Sequence, residues 1–462
     1  MAQSYDLIVI GAGPGGYVGA IRASQLGMKV AVIEKDKPGG VCLNIGCIPS
    51  KTLINEANQF ATIPRLKEVG IKIDTQEFDY KKVFKKSRNA ADTLSSGVNY
   101  LLKKNKINLI SGTGVLSAQG EVTVDGSDTY QAKNILLATG SRPREIPGFK
   151  FDETDVLSST GALLMESLPK SILILGGGAI GVEFAHILNA FGVRVHIVEM
   201  LERILPLEDA ETAQVLHKSF TGRGIAIDTS VKATAMKRSR GKLSVSFESK
   251  DGATSTKSYD KILVVTGRVP NTGDIGLDKL GIAADQGFIV AGDYYQTSVP
   301  GIYACGDMLP SPMLAHVASK EAEIAVEHMA GKHTPAAIDP ATIPGAVYCE
   351  PQVASFGMTE EQVKERNIDY KKAVFPYRGA GKSVAIGHTE GIVKIIYGPA
   401  HGELLGCHLA GAEATELIHE VLLAKTAELL PEDVATMIHA HPTLSEAVME
   451  AARTAEGWAI HA

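Results

Sequence analysis

The sequence predicts an α/β protein in which one strand–turn–helix–strand unit occurs twice, followed by a C-terminal α+β region. Three observations predict this. A glycine-rich turn, Gly11-Ala12-Gly13-Pro14-Gly15-Gly16, follows a short apolar run, and a near copy stands at Gly176-Gly177-Gly178-Ala179-Ile180-Gly181. An acid follows each first glycine at one interval: Gly11 to Glu34 and Gly176 to Glu199 both span 23 positions. A second landmark also repeats, Asn-Ile-Leu-Leu-Ala-Thr-Gly over 134–140 against Lys-Ile-Leu-Val-Val-Thr-Gly over 261–267.

In chain order, Tyr5 to Ile10 reads as a buried parallel strand, and Gly15 to Leu26 as a helix ending at Gly27. Lys29 to Ile33 reads as a second strand ending at Glu34. Gly11, Gly13 and Gly16 fit a dinucleotide fingerprint: a tight turn, close approach of backbone to a pyrophosphate, and close helix–strand packing. The helix N-terminus stabilises phosphate charge, and Glu34 stands where an acid accepts hydrogen bonds from a ribose. Gly176, Gly178, Gly181 and Glu199 repeat the pattern, between a strand at Ser171–Leu175 and one at Arg194–Val198. Two such units imply two dinucleotides, one a donor and one an acceptor. Copy one is longer between landmarks, 129 positions from Gly11 to Gly140 against 91 from Gly176 to Gly267, and the extra 38 lie in a cysteine-containing helical region.

Thr52 to Phe60 and Tyr80 to Lys104 read as helices, the second with a basic face. Leu109 to Gln131 alternates and reads as a β-meander, Ser141 to Gly148 as a linker, and Lys232 to Phe247 as strands of a second meander. From Pro344 on, Val347, Val353, Ser355 and an alternation at 392–397 suggest an antiparallel sheet, with helices at Thr415–Leu429 and Ser445–Thr454.

Composition bounds the reading. The chain has 462 residues, 45% hydrophobic and 21% charged, which suits about three globular domains. A net charge of −6 argues against nucleic acid as the main partner. No apolar run approaches the ~18 residues of a membrane helix, and no leader pattern is visible, so a cytoplasmic location is expected, with a mature mitochondrial matrix protein as the alternative. Five cysteines and no export signal make a cysteine pair more suited to catalysis than to stapling. No metal site is expected.

The cysteines that matter stand in Gly39-Gly40-Val41-Cys42-Leu43-Asn44-Ile45-Gly46-Cys47-Ile48-Pro49-Ser50-Lys51. On a regular helix five residues rise about 7.5 Å and turn about 140°. That separates the Cα atoms by roughly 8–9 Å, beyond the ~7 Å a disulfide spans. A bridge between Cys42 and Cys47 needs a distorted turn, which Asn44 and Gly46 can provide; two unpaired cysteines at a helix start is the other reading. Near the C-terminus stands His439-Ala440-His441-Pro442-Thr443-Leu444-Ser445-Glu446. Pro442 keeps a regular helix from starting before it, so His441 can project from a loop while Glu446 holds it from the next helix. His439 has no assigned role.

These motifs resemble the pyridine nucleotide-disulfide oxidoreductases, from Ser4 to the C-terminus, and most closely the dihydrolipoamide-oxidising branch. The Val before Cys42, where glutathione and mercuric reductases usually carry Thr, supports that branch. The resemblance implies two Rossmann-like dinucleotide-binding domains, one for FAD and one for NAD, and an α+β dimerisation domain. It implies a redox disulfide Cys42–Cys47, with Cys42 as the interchange thiol and Cys47 against the flavin. His441 and Glu446 become a catalytic dyad, and Lys51 lies near the flavin paired with Glu183. Thr297 to Asp307 resembles the second flavin motif, with Asp307 on the ribitol; the buried-looking Cys305 is expected in the core. With the fingerprints, this assigns Gly11, Gly13, Gly16, Glu34, Lys51, Gly114, Thr139, Gly140, Ser141, Asp307 and Ala315 to FAD. Gly176, Gly178, Gly181, Glu183, Glu199 and Gly267 go to NAD. Glu199 favours NAD over NADP, because an acid there repels a 2′-phosphate; Arg203, four positions on, is the nearby cation that complicates this.

The implied domains are 1–147 (FAD, first part), 148–272 (NAD), 273–343 (completing the FAD site) and 344–462 (interface). The implied assembly is a homodimer in which the His441 of one chain serves the Cys42 of the other. The implied partner is a lipoyl-bearing protein, an acyltransferase component of a 2-oxoacid dehydrogenase complex or a glycine cleavage carrier, because the sequence opens at the first strand without a lipoyl domain. Another reductase of the family, or a redox-inactive scaffold, are the competing expectations. Glu199, the lack of a terminal cysteine pair and the intact Cys42, Cys47, His441 and Glu446 argue against them.

Overall fold

The structure is a computed structural model that describes residues 4–239 and 241–461. The first unit contains β1 (Ser4–Ile10), α1 (Pro14–Gln25), β2 (Val30–Glu34), α2 (Gly40–Ile45), α3 (Cys47–Ala61) and α4 (Tyr80–Lys104). It continues with β3 (Asn108–Ser111), β4 (Gly114–Ala118), β5 (Glu121–Val124) and β6 (Asp128–Leu137). β1 is central, parallel to β2 and to β6, so Leu7 faces both Val30 and Asn134 and the strand is buried on both sides. That is why it reads as a continuous apolar run rather than an alternation.

The second unit contains β7 (Val156–Leu157), β8 (Ser171–Leu175), α5 (Ala179–Ala190), β9 (Arg194–Val198), α6 (Ala210–Gly222) and β10 (Ala226–Asp228). Next come β11 (Val231–Ser239), β12 (Lys242–Ser249), β13 (Thr254–Tyr259) and β14 (Lys261–Val264). Its parallel sheet runs β10-β9-β8-β14-β7, and β11 to β13 form a separate antiparallel meander. The strand β15 (Ile302–Ala304) returns to the first sheet beside β6, and α7 (Ala315–Met329) packs on α1.

The C-terminal part contains β16 (Gly345–Val347), β17 (Gln352–Gly357), α8 (Glu360–Glu365), β18 (Lys371–Pro376) and α9 (Gly381–Ile386). It ends with β19 (Ile392–Tyr397), β20 (Leu404–Gly411), α10 (Ala414–Thr426), α11 (Pro431–Thr436) and α12 (Ser445–Ala455). Its antiparallel sheet runs β16-β17-β20-β19-β18. Among the described residues no helix is long and apolar enough to cross a membrane.

Four expectations are corrected. The helix expected from Thr52 starts at Cys47, because Pro49 falls in the first turn, where its missing N–H costs nothing. The first meander begins only at β4; residues 108–111 pair in parallel with β2 as the edge of the main sheet. The linker after Gly140 is partly a strand: Ser141–Pro143 pairs antiparallel with Arg268–Pro270, its counterpart in the second unit. In β19, Lys394 is 1% exposed, so the strand is buried on both faces rather than alternating.

Candidate active site

The distortion between the cysteines is visible. α2 stops at Ile45 and α3 starts at Cys47, with Gly46 between them at φ −149° and ψ −119°. A side chain at Gly46 would meet the Val41 carbonyl oxygen at 2.7 Å. Asn44 ties the turn down by donating to the carbonyls of Gly40 (2.9 Å) and Pro38 (3.2 Å). Cys42 and Cys47 are both free, part-buried thiols at the two ends of this turn. Hydrogen bonding between the two side chains, more than any other cause, pushes the Cys42 thiol up and draws Cys47 down; burial opposes the drop in Cys47 and the Lys51 ammonium adds to it.

Lys51 lies one turn along α3 and meets Glu183 of α5 at 3.0 Å through both carboxylate oxygens. The same carboxylate accepts from the Tyr348 backbone N–H at 3.0 Å, and the ammonium sits 4.4 Å over the Tyr348 ring. The first unit, the second unit and the C-terminal part thus meet beside Cys47. All three face one cleft of about 1110 Å³ with Gly11, Gly13, Glu34, Gly114, Thr139, Gly140, Ser141, Asp307 and Ala315 among its walls. The sequence-assigned FAD residues are therefore brought together, except Gly16. Gly16 serves the turn from behind, since a Cβ there would meet the Gly11 carbonyl oxygen at 1.9 Å.

The cleft has the shape of a dinucleotide cradle. Gly11 has φ +103°, and a Cβ there would strike the Ala138 carbonyl oxygen at 2.3 Å, so the tight turn itself demands glycine. Gly13 differs: the nearest protein atom to its virtual Cβ is 3.9 Å away. The protein leaves that space open, which fits a phosphate drawn against the backbone at the start of α1. In the second unit Gly178 has no protein atom within 4 Å of its virtual Cβ, whereas one at Gly181 would strike the Gly176 carbonyl oxygen at 2.0 Å. The two acids are held alike. Glu34 accepts from the Ala12 N–H at 2.7 Å and Glu199 from the Gly177 N–H at 2.7 Å. Gly176, Gly178, Gly181, Glu199 and Gly267 lie outside the walls of the large cleft; Glu183 alone of the NAD set faces it.

Asp307 accepts from the Ser141 hydroxyl. Arg268 completes this group by donating from Nε to Ser141 Oγ (2.7 Å) and from Nη2 to the Ser141 carbonyl (2.8 Å). His441 Nδ1 lies 2.9 Å from Glu446 Oε1, and the Thr443 N–H donates to Glu446 Oε2 at 2.8 Å. Burial pushes the Glu446 carboxyl up, but these hydrogen bonds outweigh it and hold it below the usual range. His441 is 76% exposed and is not part of the cleft wall of its own chain.

Sequence reasoning missed Arg268, Tyr348, Arg88 and Glu321. Arg88 of α4 donates to the Asn44 carbonyl at 2.8 Å, capping the redox turn. Glu321 of α7 accepts from the Gly306 N–H at 2.6 Å, and burial pushes its carboxyl up to about 7. Only Arg268 carried a signal, its place directly after the repeated Thr-Gly.

Comparison with known proteins agrees with this geometry. The profile described as pyridine nucleotide-disulphide oxidoreductase matches residues 5–322, and the dimerisation domain of the same family matches 343–452. A dihydrolipoyl dehydrogenase of Rhizobium etli is 40% identical, with all of both chains covered. One of Corynebacterium glutamicum is 42% identical, again over the full length of both. Among solved structures, LpdA from Mycobacterium tuberculosis superposes with a TM-score of 0.89 at 26% identity, covering 98% of this chain and 99% of that one. The HOCl-induced flavoprotein disulfide reductase RclA from Escherichia coli gives 0.86 at 26%, covering 96% and 98%.

Proposed function

On the premise that this chain belongs to the pyridine nucleotide-disulphide oxidoreductases, we propose that it is a dihydrolipoyl dehydrogenase that oxidises carrier-bound dihydrolipoamide and reduces NAD⁺. The observation that carries this reading is the Cys42–Cys47 pair on its distorted turn, set beside the Lys51–Glu183 ion pair and open to a dinucleotide cleft.

The steps belong to named side chains. The oxidised chain carries a Cys42–Cys47 disulfide. His441 of the partner subunit takes a proton from a substrate thiol, with Glu446 orienting the ring and balancing the charge that forms. The substrate thiolate attacks Cys42 Sγ, the Cys42–Cys47 bond breaks and Cys47 leaves as a thiolate. The second substrate thiol then displaces Cys42, closing the lipoyl disulfide. Two electrons and one proton are left on the cysteine pair; the other proton has gone by way of His441. Lys51 favours the Cys47 thiolate, and Glu183 and Tyr348 hold Lys51 in place. FAD, when bound by Gly13, Glu34, Ser141 and Asp307, supplies the two-electron relay from this dithiol to NAD⁺. Gly178 and Glu199 shape the NAD⁺ site.

NAD⁺ is favoured over NADP⁺ for a further reason. Arg203 donates to the Glu208 carbonyl (3.3 Å) and pairs with Glu361 of α8 (3.2 Å), so it is engaged elsewhere. The partner is a lipoyl-bearing acyltransferase or glycine cleavage carrier protein, and the setting is the cytoplasm. The test is an assay of the purified chain, which should carry a flavin spectrum and reduce NAD⁺ with dihydrolipoamide far faster than NADP⁺. Flavin without dithiol-dependent NAD⁺ reduction would reject the proposal.

A further inference from the structure

His439 is the histidine of the His-Ala-His stretch that the reaction does not use. Its side chain is turned inward, 2% exposed, while His441 two positions on is turned out. Both ring nitrogens of His439 face oxygen acceptors. Nε2 lies 2.6 Å from Glu420 Oε1 on α10, and Nδ1 lies 3.1 Å from the Met437 carbonyl oxygen. A neutral imidazole has one N–H and one lone pair, so it satisfies one of these oxygens and sets a lone pair against the other. Two N–H groups satisfy both, and the Glu420 carboxylate balances the added charge. His441 is built differently: its protein hydrogen-bond partner is Glu446 at Nδ1, which leaves Nε2 for a substrate proton.

We propose that His439 is a positioning residue, a doubly hydrogen-bonded imidazolium paired with Glu420 that pins the loop 437–443 to α10 and so aims His441. This rests on the reading of His441 as the proton acceptor. The pair also shields His441 from the Glu420 charge. The charged groups around the two rings are Glu420 on α10 and Glu446 on α12, and Gly381 of α9 approaches the His441 ring. Without the His439 ring, the Glu420 carboxylate is unbalanced and favours the protonated form of His441. A base that must be deprotonated then becomes active only at higher pH.

The experiment compares pH profiles of kcat/KM for dihydrolipoamide in the holoenzyme. His439→Gln should lower the plateau about tenfold and move the acid limb up by roughly 0.5 pH unit, the order of effect of one uncompensated charge acting through a high effective dielectric. Flavin content should stay unchanged. His439→Asn keeps a donor for Met437 but leaves Glu420 bare, so it should show the same shift. Glu420→Gln lets the ring give up its extra proton, leaves the net charge of the pair unchanged, and should slow turnover without an upward shift. An acid limb in His439→Gln and His439→Asn that coincides with the unmodified enzyme would mean the ring only fills space, and would overturn the proposal. An equal upward shift in Glu420→Gln would overturn it too. His441→Ala is the separate control: if that variant still oxidised the dithiol, the reading of His441 itself would fall.

Discussion

Cys42 and Cys47 act on each other's protons, and that interaction splits their acidities. Cys42 is pushed up and held protonated; Cys47 is drawn down, and the Lys51 ammonium adds to its drop. The split suits the division of labour, because a good leaving thiol is one already stable as a thiolate. Cys42→Ala removes the largest cause of the low Cys47 value. Ultraviolet thiolate absorbance of the reduced protein should then titrate about one unit or more higher. An unmoved titration would assign the effect to Lys51 alone. At this scale the sequence was most legible where neighbouring side chains lie in one continuous motif, as with the turn that holds Cys42, Cys47 and Lys51, or the contact of His441 with Glu446. Tyr348 was invisible because its backbone N–H and ring reach Glu183 and Lys51 from 165 and 297 positions away. His439 stayed without a role for a related reason: Glu420 lies 19 positions back on α10, with α11 between them.

At the level of elements, the two glycine turns separate what folding needs from what a ligand needs. Gly181→Ala places a methyl 2.0 Å from the Gly176 carbonyl, and α5 cannot pack on β8 without shifting. We expect a loss of about 1–3 kcal/mol, read in thermal unfolding of the second unit. Gly178→Ala meets nothing in the protein, so its melting should match the parent while NAD⁺ binding weakens severalfold in calorimetry. Equal melting losses in both variants would dissolve the distinction. α4 gives the complementary lesson. Its sequence announces a basic face, yet Arg88 and Ser95 turn inward to hold the Asn44 and Pro38 carbonyls of the redox turn. Helical periodicity located the helix but not which of its polar groups face the protein, since that depends on a turn folded some 50 positions earlier. The paired strands at 141–143 and 268–270 escaped notice for a related reason: each is three residues long and is made regular only by the other.

Across the whole molecule, the second unit and the C-terminal part are joined by buried charge. Lys394 of β19 meets both carboxylate oxygens of Asp209 at 2.9 Å and Glu360 at 2.7 Å, while Asp209 also starts α6 by accepting from the Glu211 N–H. Burial pushes both carboxyls up; His408 and Lys394 for Asp209, and three lysines for Glu360, outweigh it and hold them down. Depressed carboxyls add stability that is complete above their unfolded values near 4 and is lost as pH falls through that range. The joint should therefore loosen in acid, seen as a melting temperature that drops below about pH 4 more steeply in the parent than in Lys394→Met. At neutral pH that variant leaves the buried Asp209 carboxylate without its ion pair and should cost about 3–5 kcal/mol in denaturant unfolding. A variant as stable as the parent at pH 7 would show that the network contributes nothing there.

The outward-facing His441, absent from its own chain's cleft, has a consequence in inheritance. If each reaction centre draws its cysteines from one gene product and its histidine from another, two defective alleles can cover for each other. Cells making only Cys42→Ser chains, or only His441→Ala chains, should lack the activity. Cells making both in equal amounts should regain about a quarter of it. Half of randomly formed pairs are mixed, and each mixed pair has one centre with no defect. Complementation between alleles would then report the architecture of the enzyme through growth alone. Its failure, with both products present and pairing, would place the histidine's work inside a single polypeptide.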